Sequence, residues 1–425
     1  MSNANGHITW RYRLEGTLVV IVTLMPLAVA IRYKWGENIL PLALAPLLLL
    51  LFVSARARTV LTQGLANRLR SVVGVAWLAA FLWLLVSIFW AVDPRLAAIG
   101  TAKAVGSMGA ALAVALVLNS IESQRIFPWL TGFTALAGCV VIFTSLSGGQ
   151  VHRLFNCCEG GMQPHLSGGA VIFALLVWPC VGWWALKGQR RSCILLIVLA
   201  CLVVVFAKSG AAWLAFFAGT ATVLLGLRTP RLACLLPFTV AVLGFFTAPF
   251  LSDLTAMLDS SGLLGRMSAF HASERAQIWT YYNDLFWQRP WAGYGFRAEE
   301  ILGHRNHAEE FTRLIPPPYA AFHAHNISLQ ILLEFGIIGA ALALAVVAAN
   351  TWALYAAEYR PYVAFAVAPA TAALAAAHVN FSIWEWWWLA SVSLAIIFGC
   401  RLLRNDLSSN AVRRVSSVSC GSAAG

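Results

Sequence analysis

Apolar runs close to the ~20 residues needed to cross a bilayer recur from one end of this chain to the other. In lipid every backbone N–H and C=O must be satisfied internally, which leaves helices or a closed barrel. A barrel needs strands that alternate apolar and polar residues, whereas these runs are continuous. Composition agrees: of 425 residues 60% are hydrophobic and 11% charged, against about 25% charged in soluble domains. The expected fold is all-α, a polytopic membrane protein of about twelve transmembrane helices. The spans are read at 17–31, 38–54, 73–91, 99–118, 127–146, 166–186, 192–207, 210–227, 232–250, 325–357, 361–379 and 383–400.

Lys and Arg distribution orients the spans. With the N-terminus inside, the inner segments hold 17 of the 29 basic residues, the outer loop 251–324 holds six, and all other outer segments together hold six. Long loops escape the rule, so the contrast is 17 against six, and both termini are expected to be cytoplasmic. The net charge of +12 is mostly this topology signal, basic rims near anionic headgroups, and argues little for nucleic acid. No small-residue cleavage pattern precedes Arg32, so the first span does not read as a removable signal. The nine cysteines fall mostly within spans as small core hydrophobes. Adjacent Cys157 and Cys158, in an outer loop, suggest neither a disulfide framework nor a metal site.

The chain reads as one transmembrane domain, 1–404, with a Ser-rich tail at 405–425 expected to be disordered, and no internal repeat. Its one long interruption is the outer loop of 74 residues, 251–324; loops of this length are usually functional. Within it, Ile278, Trp279, Tyr282, Leu285 and Phe286 have helical spacing, which predicts an amphipathic helix near the membrane surface. Pro290-Trp-Ala-Gly-Tyr-Gly295 then breaks that helix with a turn that lets backbone approach something closely. The Ile315-Pro-Pro-Pro-Tyr-Ala320 stretch is stiff and extended and delivers the chain to Ala321–Gly339, the most informative segment.

There His325 precedes Asn326, a good N-cap, and so stands at a helix N-terminus on the membrane boundary. Positive potential there depresses a histidine pKa, and a neutral imidazole can act as a general base. Taken alone, an interfacial histidine of no chemical role is the commoner reading, and a His323-x-His325 metal site lacks further ligands with suitable spacing. Arg275, with Arg289 and Arg297 behind it, offers forks suited to pyrophosphate, although acidic neighbours could pair with these arginines on a solvated helix face. Arg153 stands before a glycine-rich outer loop. Lys208 and Lys103 lie near or within spans, where charges are costly and mark sites unless they snorkel. Glu334, nine residues into the tenth span, reads as a packing contact or a proton relay.

These residues resemble the O-antigen ligase and polymerase superfamily of bacterial envelope glycosyltransferases. The pattern is Arg275, Trp279, Pro290-x-x-Gly-x-Gly295, His325-Asn326 and Glu334-x-Gly-x-x-Gly339, about 65 residues. Where that family usually has Ser-Arg-Gly, this chain has Ser209-Gly210 with Lys208 one step earlier. The resemblance implies transfer of O-antigen polysaccharide from undecaprenyl pyrophosphate to lipid A–core oligosaccharide at the periplasmic face of the inner membrane. It implies metal-independent, inverting transfer with no cofactor or nucleotide, and the chain has no Asp-x-Asp motif. His325 would be the base and Arg275 would stabilise the leaving pyrophosphate, with Arg153, Lys208, Arg289 and Lys103 as donor-binding residues. A polymerase extending lipid-linked repeats shares this chemistry and differs in its acceptor. A secondary transporter would instead show broken helices and charged pairs at the bilayer midplane.

Overall fold

A computed structural model describes residues 2–154, 163–260, 272–304, 323–356 and 362–421. Its described residues contain helices and no strand. Eleven helices are long and apolar enough to span a membrane: Trp10–Ile31, Tyr33–Val53, Val72–Trp90, Pro94–Leu118, Ser123–Leu146, Leu166–Leu186, Arg190–Ala207, Gly210–Arg228, Pro230–Leu254, Ile327–Ala356 and Trp386–Leu403. The remaining expected span, 361–379, is a shorter apolar helix, Val363–Ala377. Its 15 residues reach about 22 Å, less than the ~30 Å hydrocarbon core. It can be short because it is sheathed by protein, packing on the helices Gly210–Arg228, Gln163–Leu186, Pro230–Thr247 and Trp386–Gly421. Cysteines 157 and 158, the prolines 316–318 and Arg305 lie outside the described residues.

Helix starts obey local chemistry. Ser54 Oγ accepts from Ala57 N–H at 3.2 Å and Ser71 Oγ from Gly74 N–H at 3.1 Å, capping the helices Ala55–Leu69 and Val72–Val86. Asp93 Oδ1 accepts from Arg95 and Leu96 N–H at 3.1 and 3.0 Å, ahead of Pro94 at the first helical position, where a missing N–H costs nothing. Leu166–Leu186 is the axis of the bundle, 83% of it buried. Small residues allow the close approaches lipid-embedded packing relies on: Gly219 faces the Trp178 indole and Gly226 faces Ala364. At the other extreme, 11% of Val72–Trp90 is buried.

The expected loop helix is present as Ala272–Gln288. Ile278, Tyr282, Leu285 and Phe286 are buried, with Trp279 and Tyr281 packed alongside, so its apolar face is covered by protein: by Leu251–Ser260 and by the Ile327 helix. The segment just after this helix governs the site. The Ile327–Ala356 helix is broken at Gly336, φ 65° and ψ −166°, releasing carbonyls before the break and amides after it. Residues 290–295 take up both sets. Tyr294 N–H donates to Leu333 O at 3.0 Å and Gly295 N–H to Glu334 O at 2.8 Å, while Ile337 N–H donates to Pro290 O at 2.8 Å and Ile338 N–H to Trp291 O at 3.3 Å. From behind, Trp90 Nε1–H donates to Ala292 O at 3.1 Å and Val92 N–H to Tyr294 O at 3.1 Å.

The positive φ of Gly336 and a Cβ path blocked by the Trp291 carbonyl make alanine unacceptable there. Gly336→Ala is expected to cost about 2 kcal/mol or more, read as a lowered Tm of the detergent-solubilised protein. Gly132→Ala, at a helical position with open space around it, is expected to leave Tm unchanged or raised.

Candidate functional site

The helix that begins at Ile327 is capped as expected. Asn326 Oδ1 accepts from Leu329 N–H at 3.0 Å and its carbonyl accepts from Gln330 N–H at 2.9 Å. To enter that cap the chain turns sharply at His325, whose φ of 50° is left-handed. A non-glycine residue there costs on the order of 1 kcal/mol or more and persists where its surroundings over-determine it. Here they do. Ala324 O accepts from Trp279 Nε1–H at 2.8 Å, and Ala324 N–H donates to Glu299 Oε1. The indole bond ties the turn to the helix carrying Arg275, so two motif segments fifty residues apart meet.

The rings of His323 and His325 lie against each other, centroids 3.8 Å apart and planes tilted by 55°. Burial, then the Arg275 charge, lowers the His323 pKa to about 4. Burial holds His325 well below the ordinary histidine range, helped by His323 and Arg275 and opposed by its Asn380 hydrogen bond. Both rings are therefore neutral near pH 7. Asn380 sets which nitrogen of His325 carries the proton. Its Nδ2 donates to Ser167 Oγ at 3.4 Å, so its Oδ1, 3.3 Å from His325 Nδ1, is an acceptor. The proton is on Nδ1, and Nε2 keeps its lone pair, the arrangement a general base needs.

The network continues: Ser167 Oγ lies 2.7 Å from Ser209 Oγ, which accepts from Ala212 N–H at 3.3 Å. Ser209 comes directly after Lys208, itself left-handed at φ 49° and closing the Arg190–Ala207 helix. His325 is thus joined through Asn380 and Ser167 to Ser209, the residue that follows Lys208. Arg153 is exposed on the short helix Gln150–Leu154. Arg289 stacks over Tyr294, guanidinium to ring centroid 4.9 Å, and Lys103 faces the Trp386 ring at 6.0 Å. Arg297 is ion-paired with Glu300. Glu334 is fully buried and its Oε2 accepts from Trp384 Nε1–H at 2.6 Å, a packing contact across the break.

Sequence reasoning missed Asn380, Ser167 and Glu299. Asn380 carried a signal in His378-x-Asn380-x-Ser382, a polar cluster between apolar runs. Ser167 and Ser209 look like any helix-start serine, and Glu299 like an acid on a wet loop. The broken helix and buried carboxyl are features a transporter would share. Here, though, the groups released at Gly336 are taken up by residues 290–295. Among the described residues no group of three or more His, Cys, Asp or Glu is placed to hold a metal ion.

Residues 194–344 match the family model described as O-antigen ligase. A Rickettsia felis protein named "Putative polysaccharide ligase" is 24% identical over 279 residues, 61% of this chain and 63% of its own length. A Rickettsia prowazekii protein of similar name is 23% identical over 275 residues, 61% and 64% of the two chains. This chain therefore matches less than two thirds of either relative's length. No solved structure matches it. The matches support an O-antigen ligase-type family for this chain.

Replacing Asn380 by aspartate puts a negative charge beside Nδ1 and favours the imidazolium. Asn380→Asp is expected to raise the His325 pKa in a histidine NMR titration of the solubilised protein. Asn380→Leu, which removes the acceptor, is expected to leave a mixture of Nδ1-H and Nε2-H tautomers.

Proposed function

We propose that this protein is an O-antigen ligase. It transfers polysaccharide from undecaprenyl pyrophosphate to a sugar hydroxyl of lipid A–core, at the periplasmic face of the inner membrane. The observation that carries this reading is the Trp279–Ala324 bond. It joins the Arg275 helix to the His325 turn and sets a permanent cation beside a neutral base at a helix N-terminus.

The chemistry runs as a single displacement. His325 Nε2 takes the proton of the acceptor hydroxyl as that oxygen attacks the anomeric carbon of the donor. The new C–O bond forms as the bond to the pyrophosphate oxygen breaks, with inversion at the anomeric centre. The developing negative charge goes to undecaprenyl pyrophosphate and is met by Arg275, with Lys208 and Arg153 as further cations. Arg289 and Lys103 would serve the donor at a distance, through its lipid and glycan portions. The pyrophosphate linkage supplies the driving force, so neither nucleotide nor cofactor is required. A buried imidazole stays unprotonated as pH falls through the usual histidine range, so turnover is sustained down to pH values below about 6.5.

His325→Ala is expected to lower ligation of lipid-linked O-antigen to core by about 100-fold or more in a strain lacking the native gene. Core carrying full O-antigen from that variant would remove His325 from catalysis. A chelator is expected to leave turnover intact. The null strain is expected to accumulate long lipid-linked chains with bare core; core bearing a single repeat would instead identify a polymerase.

A further inference from the structure

We infer that Glu299 is a positioning residue for His325: its carboxyl holds the Ala324 peptide and thereby keeps the base in its left-handed backbone conformation. The inference rests on the proposed role of His325 as base. Glu299 lies on the short helix Ala298–His304 and is 3% exposed, an uncommon place for a carboxyl in an outer loop. Its Oε1 accepts the Ala324 N–H, and its Oε2 lies 3.5 Å from Ser382 Oγ. Ser382 in turn takes Gln330 Nε2–H at 2.8 Å and lies two residues from Asn380, which sets the His325 tautomer. One carboxyl therefore touches the segment before the base and the segment that orients it.

Glu299 is itself fixed. Its carbonyl accepts from Tyr282 Oη–H at 3.2 Å, and Tyr282 is wholly buried in the helix that carries Trp279. Trp279 grips the Ala324 carbonyl while Glu299 grips the Ala324 amide. The two bonds hold the peptide units on either side of Ala324, so the residue that leads into the left-handed His325 is fixed at both its amide and its carbonyl. The carboxyl acts by accepting a hydrogen bond and not by its charge. Burial and the neighbouring Glu334 push its pKa well above the usual carboxylate range, so it is neutral beside the imidazoles. Arg297, the adjacent cation, is engaged by Glu300.

A neutral acceptor can be replaced by an amide of the same shape, and that separates the roles. With purified enzyme and lipid-linked donor, Glu299→Ala is expected to lower kcat by about 10- to 100-fold, the usual penalty for a misplaced catalytic group, with the donor KM changed less than about twofold. Glu299→Gln is expected to retain most of the wild-type kcat. Trp279→Phe, which deletes the opposite grip, is expected to resemble Glu299→Ala; should Glu299→Ala fail to fold, Glu299→Gln and Trp279→Phe decide. A wild-type kcat in Glu299→Ala or Trp279→Phe, or a Gln variant as impaired as the Ala variant, overturns the inference. His325→Ala run in parallel separates the two failures: if it keeps turnover, the role of His325 falls, whereas if it is dead and Glu299→Ala turns over at the wild-type kcat, only the role of Glu299 falls.

Discussion

A helix interrupted at Gly336 inside a membrane protein leaves carbonyls and amides with nowhere to go, and the structure depends on how residues 290–295 satisfy them. Two amides, Tyr294 and Gly295, fill the carbonyls of Leu333 and Glu334, and two carbonyls, Pro290 and Trp291, fill the amides of Ile337 and Ile338. Backbone polar groups are too costly to leave unmet in hydrocarbon, so the outer loop is a structural part of the span. That fastening sets the depth of the Arg275 helix, the height of the Ala324 turn and the position of the short helix bearing Glu299. The His325 turn is registered against a break in the helix that follows it.

The electrostatic design comes from the same closeness. Two imidazoles and a guanidinium in one partly buried turn would repel if the rings were charged. Burial and the arginine make the neutral rings the stable forms. A neutral imidazole and a permanent cation can therefore share one small volume, provided the ring never titrates to imidazolium. Asn380 completes this by choosing a tautomer without adding charge, where an aspartate would have favoured the cation.

The all-helical membrane fold was legible from apolar run length alone, and each expected span has its helix because lipid leaves the backbone so few options. The length of the eleventh was misjudged. Hydropathy does not mark that His378–Glu385 leaves the helix, since Val379, Phe381, Ile383 and Trp384 are as apolar as a span. The amphipathic spacing of 278–286 gave the loop helix correctly, but it did not reveal that protein, and not lipid, covers the face. Of the candidate cations, Arg275 was placed by its motif, whereas Arg289 and Lys103 stand at aromatic rings that spacing along the chain does not disclose. Asn380, Ser167 and Glu299 were invisible for one reason. Their roles come from hydrogen bonds spanning 55, 42 and 25 residues, and single polar side chains carry no periodicity.

The Ser209–Ser167–Asn380–His325 chain has a consequence for biogenesis. Ser167 and Asn380 are 213 residues apart, and Asn380 lies in the segment between the final two helices, the last contributor to leave the ribosome. Arg275, Lys208 and His325 are all in place before it, yet His325 has no Nδ1 acceptor until residues 378–385 seat. A chain arrested partway through insertion thus holds Arg275, Lys208 and His325 without the Asn380 that sets the His325 tautomer. The order of synthesis closes this network last, once the bundle is whole.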